Sequence, residues 1–105
     1  MLQKVVFDHE RDTNKPLLRL NLTSPTEYSL LKRDTNSYVL SLPSVTLAGP
    51  HLALPYFPPQ DFLGLSAVAP RQTPTGVEIL LYIDAATRLV AFANEGDVFV
   101  RAEGR

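Results

Sequence analysis

The chain has no cysteine, only five glycines, no excess charge of either sign and no long apolar run. Without cysteine there are no disulfides and no thiolate chemistry, and redox usage does not reveal the compartment. The few glycines form no phosphate-cradling loop. Ten basic and eleven acidic side chains leave a net charge of −1 and no basic run, so neither nucleic acid nor an anionic membrane surface is an expected partner. The longest apolar stretch falls far short of the roughly 20 residues that span a bilayer, so no direct membrane span is expected. No signal peptide is visible either, because Met1-Leu2-Gln3-Lys4 runs straight into a strand pattern. The reading is a cytoplasmic protein, or a domain of a longer exported chain whose export signal lies elsewhere.

What the chain does have is an apolar content of 45%, enough for a real core in 105 residues. A single domain of this size buries roughly two-thirds of its unfolded surface. The apolar residues are arranged twice. Leu18-Arg19-Leu20-Asn21-Leu22 alternates, and 61 positions later Ile79-Leu80-Leu81-Tyr82-Ile83 begins the same course. The same offset lays Leu2 to Phe7 on Leu63 to Val68, giving an internal repeat of 2–42 and 63–102. Two copies are too few for a solenoid. They predict one all-β domain over 1–105, a β-sandwich of two small sheets formed by two similar β-modules.

Period-2 alternation predicts strands at 3–9, 17–22, 27–32, 37–42, 64–69, 77–83, 88–93 and 97–102. Arg33-Asp34-Thr35-Asn36 and Asn94-Glu95-Gly96-Asp97 read as hairpin loops, with longer connections at Asp12 to Pro16 and Thr73 to Gly76. Five of the nine prolines lie between Pro43 and Pro59, so 43–62 is expected to cross between the halves as an irregular connection. Leu47, Leu52 and Leu54 are expected to tuck beneath it, and Asp61-Phe62-Leu63 to form one helical turn. Leu18, Leu20, Leu22, Val77, Ile79, Leu81 and Ile83 face the core by alternation. Arg19, Asn21, Glu78, Leu80 and Tyr82 then face outward.

No catalytic set emerges. Asp8-His9-Glu10 is the densest polar cluster, but a metal needs three or four convergent ligands and His51 is the only other imidazole. No serine elbow exists, and neither histidine lies in a context that pairs it with a particular serine. Carboxylate pairs among Asp8, Glu27, Glu78 and Asp84 would need a cleft that small sandwiches usually lack. The expectation is therefore a non-enzyme with no metal and no cofactor. Asn21-Leu22-Thr23 matches a glycosylation triplet but lies inside a strand. Candidate binding residues are Arg19, whose planar fork suits a carboxylate, its neighbour Asn21, and Tyr82 on an outer face. Tyr56 in Tyr56-Phe57-Pro58-Pro59 joins them as an aromatic held in a proline-rich loop. Each has a plain structural alternative: an ion pair of Arg19 with Glu27 or Asp8, aromatics plugging a sandwich end, or Leu80 and Tyr82 covered by the connection.

Leu17-Leu18-Arg19-Leu20-Asn21-Leu22, then Pro25-Thr26-Glu27-Tyr28 and Ser37-Tyr38-Val39-Leu40-Ser41-Leu42-Pro43, resembles the AMIN domain. Gly76-Val77-Glu78-Ile79-Leu80-Leu81 looks like the opening of that family's repeated unit. The resemblance implies a non-catalytic sandwich in periplasmic or cell-envelope proteins that holds its parent against peptidoglycan, as in cell-wall amidases and type IV pilus secretins. Ser41 stands where the family often has aspartate, and Glu78 lies near an expected second arginine, so Arg19 alone carries over by position. The expected partner is peptidoglycan or an envelope protein. The alternative is a protein–protein assembly module of a type IV pilus or secretin complex, joined through a proline-free edge strand such as 97–102.

Overall fold

The computed structural model describes residues 1–9, 15–24, 26–58, 65–83 and 88–102, without the side chains of Pro50, His51 and Ala102. Eight strands occur among them: β1 (Leu2–His9), β2 (Pro16–Leu22), β3 (Ser29–Asp34), β4 (Ser37–Pro43), β5 (Leu65–Thr73), β6 (Gly76–Ile83), β7 (Leu89–Asn94) and β8 (Asp97–Ala102). They form two four-stranded antiparallel sheets, β1-β2-β8-β7 and β3-β4-β6-β5, in an all-β two-sheet sandwich.

The two modules do not each build a sheet. Each contributes its first hairpin to one sheet and its second hairpin to the other. The strand order is therefore the same in both sheets once β1 to β4 are matched with β5 to β8. Both first strands break register at the same point, between Leu2 and Lys4 and between Leu65 and Ala67, whereas β3 has a further break between Lys32 and Asp34 that β7 lacks. This corrects the single offset of 61. Pairing places Leu18 and Ile79 at equivalent positions 61 apart, but Leu2 matches Leu65 at 63, and Leu40 matches Val100 at 60. The step from 63 to 61 reflects loop length, since His9 faces Pro16 across a six-residue connection while Thr73 faces Gly76 across only Pro74-Thr75, and the step to 60 reflects the bulge between Lys32 and Asp34.

The seven residues that alternation places in the core, Leu18, Leu20, Leu22, Val77, Ile79, Leu81 and Ile83, all join one buried cluster between the sheets, and Leu40, Leu42, Val98 and Val100 join it too. Leu20 and Leu81, both fully buried, lie at matching positions of opposite sheets. Burial of each such side chain contributes about 1.5–3 kcal/mol.

The connection after β4 closes the side where β1 and β5 are the edges. Ser44 takes a left-handed conformation (φ 61°) and turns the chain out of β4. Leu2 donates its N–H to Thr46 and accepts from Ala48, and Tyr56 exchanges both backbone bonds with Val68. Thus β1 and β5 each lose part of their free edge. Between these contacts Pro50–Ala53 forms a 3-10 turn. Leu52 and Val45 are buried and Leu47 packs partly on the core, whereas Leu54 is 62% exposed, contrary to expectation. Gln72 ties the connection down, accepting from Leu47 N–H and donating to the carbonyls of Val45 and Gly76. The expected turn at Asp61-Phe62-Leu63 lies outside the described residues.

Strand β5 runs four residues further than alternation indicated and passes through Pro70. On an edge strand this is tolerated: Val68 turns its backbone groups outward to Tyr56, and Pro70 lies two residues on, on the same side, where β6 needs no donor. At the hairpin end Gly76 (φ 155°) is pressed against β4. A Cβ there would stand 2.3 Å from the Leu42 carbonyl oxygen and 2.9 Å from Ser44 N. Gly76→Ala is therefore expected to cost about 2 kcal/mol or more, through forced displacement and backbone strain. A urea-unfolding midpoint equal to that of the wild type would show that β4 and β6 do not meet this closely.

Candidate functional site

Arg19 and Asn21, two of the four expected binding residues, are engaged inside the protein. Both lie on the outer face of the β1-β2-β8-β7 sheet and converge on Asp97, the first residue of β8, which is buried. Arg19 Nε donates to Asp97 Oδ2 at 2.8 Å, and Nη2 reaches the same oxygen at 2.7 Å. Asn21 Nδ2 lies 3.3 Å from Oδ1, and the Leu22 amide donates to Oδ1 at 3.1 Å. The expected partner of Arg19, Glu27 or Asp8, is thus replaced by Asp97, which the sequence places both at the end of a hairpin loop and at the start of the strand 97–102. The turn proper is only Glu95-Gly96, both with positive φ (52° and 87°), which leaves Asp97 to open the strand. Burial is the largest influence on Asp97 and pushes its pKa upward. The Leu22 amide, the side chains of Arg19 and Asn21, and the Arg19 charge together outweigh it, so the carboxyl titrates below the ordinary aspartate value.

Beyond Asp97 the same face carries a row across all four strands, Val6–Arg19–Phe99–Phe92. The two rings stack at 5.2 Å, Arg19 lies 5.9 Å from the Phe99 ring centre and Arg101 lies 5.7 Å from that of Phe92. These rings already have cations beside them.

The twofold relation shows what stands at matching places on the other sheet. Leu80 corresponds to Arg19, Tyr82 to Asn21, and Ser37 to Asp97. The polar network has no counterpart there, since Ser37 Oγ instead donates to Asp34. Asp34 also accepts the Asn36 amide, and these two bonds hold its carboxyl below the usual range. The row matching Val6–Arg19–Phe99–Phe92 is Ala69–Leu80–Val39–Leu31, wholly apolar. Leu31 is 65% exposed and Tyr82, beside the row, is 37% exposed. Two residues further along the strands a polar row, Ser29–Ser41–Glu78–Arg71, crosses the same face. Its last two members form an ion pair. Ser29, Ser41 and Glu78, with Thr73 and Thr75, line a shallow hollow of about 130 Å³. Leu80 itself is only partly exposed.

The fourth expected residue, Tyr56, is on neither face. It is bridged to the edge of β5 and packs against the core, and burial raises its pKa. Its neighbour Phe57 is 72% exposed. The sequence pointed to this aromatic pair. The strand-like bridge at Tyr56 decides which member turns inward, and no pattern within the proline-rich stretch reveals it. Arg19 and Asn21 are therefore together, while Tyr82 and Tyr56 lie on two other surfaces.

Asp8 accepts the His9 amide. Glu10 and Asp84 lie outside the described residues, and among those described no three histidine or acidic side chains converge as metal ligands. Strand β8, expected as a free edge, is paired on both sides, with β2 and β7. The edges opposite the connection are β3 and β7. Among the described residues no helix is long and apolar enough to cross a membrane.

No family model, no curated protein and no solved structure matches this chain.

Replacing Asp97 with alanine leaves the buried Leu22 amide unpaired and should cost about 2 kcal/mol, seen as a fall in Tm of roughly 10 °C. Because folding lowers this carboxyl's pKa, its contribution is complete above about pH 4 and is lost as pH falls through the lowered folded value. The difference in stability between wild type and Asp97→Ala should hold at neutral pH and narrow in acid. A difference independent of pH down to about pH 2 would contradict the charged network.

Proposed function

We propose that this chain is a non-catalytic, AMIN-like module of the bacterial cell envelope that binds peptidoglycan and so localises its parent protein. The observation that carries the reading is the outer face of the β3-β4-β6-β5 sheet, with its apolar row Leu31–Val39–Leu80–Ala69 lying parallel to Ser29–Ser41–Glu78–Arg71. The rows stand about 7 Å apart and extend about 14 Å across four strands. A glycan is amphipathic in the same way, with apolar C–H faces and hydroxyl edges. Laid on this face, its rings contact Leu80, Val39 and Tyr82 while hydroxyls meet the serines and Glu78. Each contact is weak, and repetition along the polymer supplies avidity. The hollow beside the polar row is too small to enclose a ligand, which favours contact along a surface. The envelope setting itself is supported by the resemblance of residues 17–43 to AMIN domains.

A second reading, an assembly module of a type IV pilus or secretin complex, is favoured by β7. This edge strand, Leu-Val-Ala-Phe-Ala-Asn, has neither charge nor proline to deter a partner strand.

The test is co-sedimentation with purified sacculi at low salt. The wild-type chain should pellet, and Tyr82→Ala combined with Leu31→Ser should weaken binding about tenfold while leaving Tm near that of the wild type. A chain that stays in the supernatant, or a double variant that binds equally well, refutes the glycan face. Hydrogen exchange discriminates the second reading. Protection of the amides of 89–94 by a purified pilus secretin, with none from sacculi, would replace the first reading by the assembly role.

A further inference from the structure

Four strands form the edges of the two sheets, β1 and β7 of one and β3 and β5 of the other. Three of them carry features that hinder an incoming strand. In β1 the register breaks between Leu2 and Lys4, the connection bonds to Leu2, and Lys4 and Asp8 add charge. In β5 it breaks between Leu65 and Ala67, Tyr56 occupies Val68, and Pro70 lacks a donor. In β3 it breaks between Lys32 and Asp34, and Lys32, Arg33 and Asp34 are all charged. Strand β7 has none of these. Its six residues pair with β8 without a register shift and include no charge and no proline. Among the described residues nothing pairs with its outer side.

The turn fixes which backbone groups of β7 are free. The two-residue loop Glu95-Gly96 makes Asn94 and Asp97 a hydrogen-bonded pair, and bonded and non-bonded pairs then alternate along the hairpin. Phe92 therefore bonds to Phe99, while Ala91 and Ala93 aim their N–H and C=O groups away from β8. Both have small side chains, and Ala93 is exposed. Between them Phe92 faces outward and stacks on Phe99.

This strand is complementary to itself. Antiparallel pairing about Phe92 lets Ala91 exchange both backbone bonds with Ala93 of a second copy, and Ala93 with Ala91 of that copy. The two Phe92 rings then form a non-hydrogen-bonded cross-strand pair, in which side chains stand closest and aromatic pairs are favourable. Val90 faces Asn94, so no charge of either β7 strand is opposed. Pairing of β7 with β3 of a neighbouring copy would instead meet the bulge and the charges of β3, and such head-to-tail contacts do not close. A twofold pair closes, and the joined sheet then ends at β1 on both sides, an edge already guarded.

We propose that β7 is a homodimer interface, at which two copies join their β1-β2-β8-β7 sheets into one continuous sheet through antiparallel β7 pairing centred on Phe92. The edge is the one the assembly reading uses, with the chain itself as occupant. The twofold axis of such a pair runs perpendicular to the sheet, so both β3-β4-β6-β5 faces point the same way and meet one polymer side by side. Only that consequence rests on the glycan reading, since the pairing uses the other sheet.

The test is sedimentation equilibrium of the purified chain from about 10 μM to about 1 mM, with hydrogen exchange measured at both ends of the range. The mass should rise from 11.6 kDa towards twice that value. The amides of Ala91 and Ala93 should gain protection at high concentration, while that of Phe92, bonded to β8, is protected throughout. Ala93→Pro removes an outward donor without breaking a β7–β8 bond, and should weaken dimerisation about tenfold or more with Tm near that of the wild type. Ala93→Lys puts a charge on the edge at an exposed side chain and should act in the same way, serving if the proline variant does not fold. A chain that stays at 11.6 kDa throughout, a dimer whose newly protected amides lie in β3, or a dimer unweakened by a folded variant would each overturn the assignment. A monomer that still pellets with sacculi overturns the dimer alone, and a dimer that stays in the supernatant overturns the glycan face alone.

Discussion

The pairing of β2 with β8 and of β4 with β6 joins the two halves of the chain at the centre of each sheet, and the rest of the structure depends on it. Neither module has a complete sheet without the other, because its two hairpins belong to opposite layers. An isolated two-stranded hairpin is marginal in water. Four hairpins held by central cross-pairing bury one shared core, so each half stabilises the other. The same arrangement places Leu20 and Leu81 at equivalent positions and leaves β1 and β5 as edges on the side that the proline-rich connection occupies.

A duplicated framework supplies pairs of equivalent positions, and the chemistry has diverged at those pairs. On one outer face Arg19, Asn21 and Asp97 satisfy one another, with the Leu22 amide drawn in, so that polar groups at the sheet centre cost little. On the other, Leu80, Tyr82 and Ser37 occupy the matching places and cannot form such a network. One face is thereby internally satisfied, while the other keeps apolar and aromatic surface for contact. The same asymmetry recurs in the β3-β4 hairpin, where Lys32 and Tyr38 match alanine and valine in the repeat.

Much of the fold was legible in the sequence because strand alternation is a local property. The eight strands, the core leucines and the irregular connection all follow from the side chains' two-residue period and from proline's missing donor. The exact repeat was not legible. A longer first hairpin loop changes the offset from 63 to 61, a bulge in β3 between Lys32 and Asp34 changes it to 60, and only hydrogen-bonded register reveals this. The end of β5 was missed for a related reason, since Pro70 reads as a strand breaker unless the strand is known to be an edge.

The sequence by itself determined an all-β sandwich made from two similar units, which residues face inward, and that Arg19, Asn21 and Tyr82 face outward. Only the tertiary structure decided that Arg19 and Asn21 share a sheet face while Tyr82 lies on the opposite one, that Asp97 neutralises Arg19, and that Tyr56 turns inward while Phe57 stays exposed. The reason is physical. Alternation specifies a side of a strand, but which sheet that strand joins, and which distant carboxylate then lies beside it, depends on contacts between residues more than seventy positions apart.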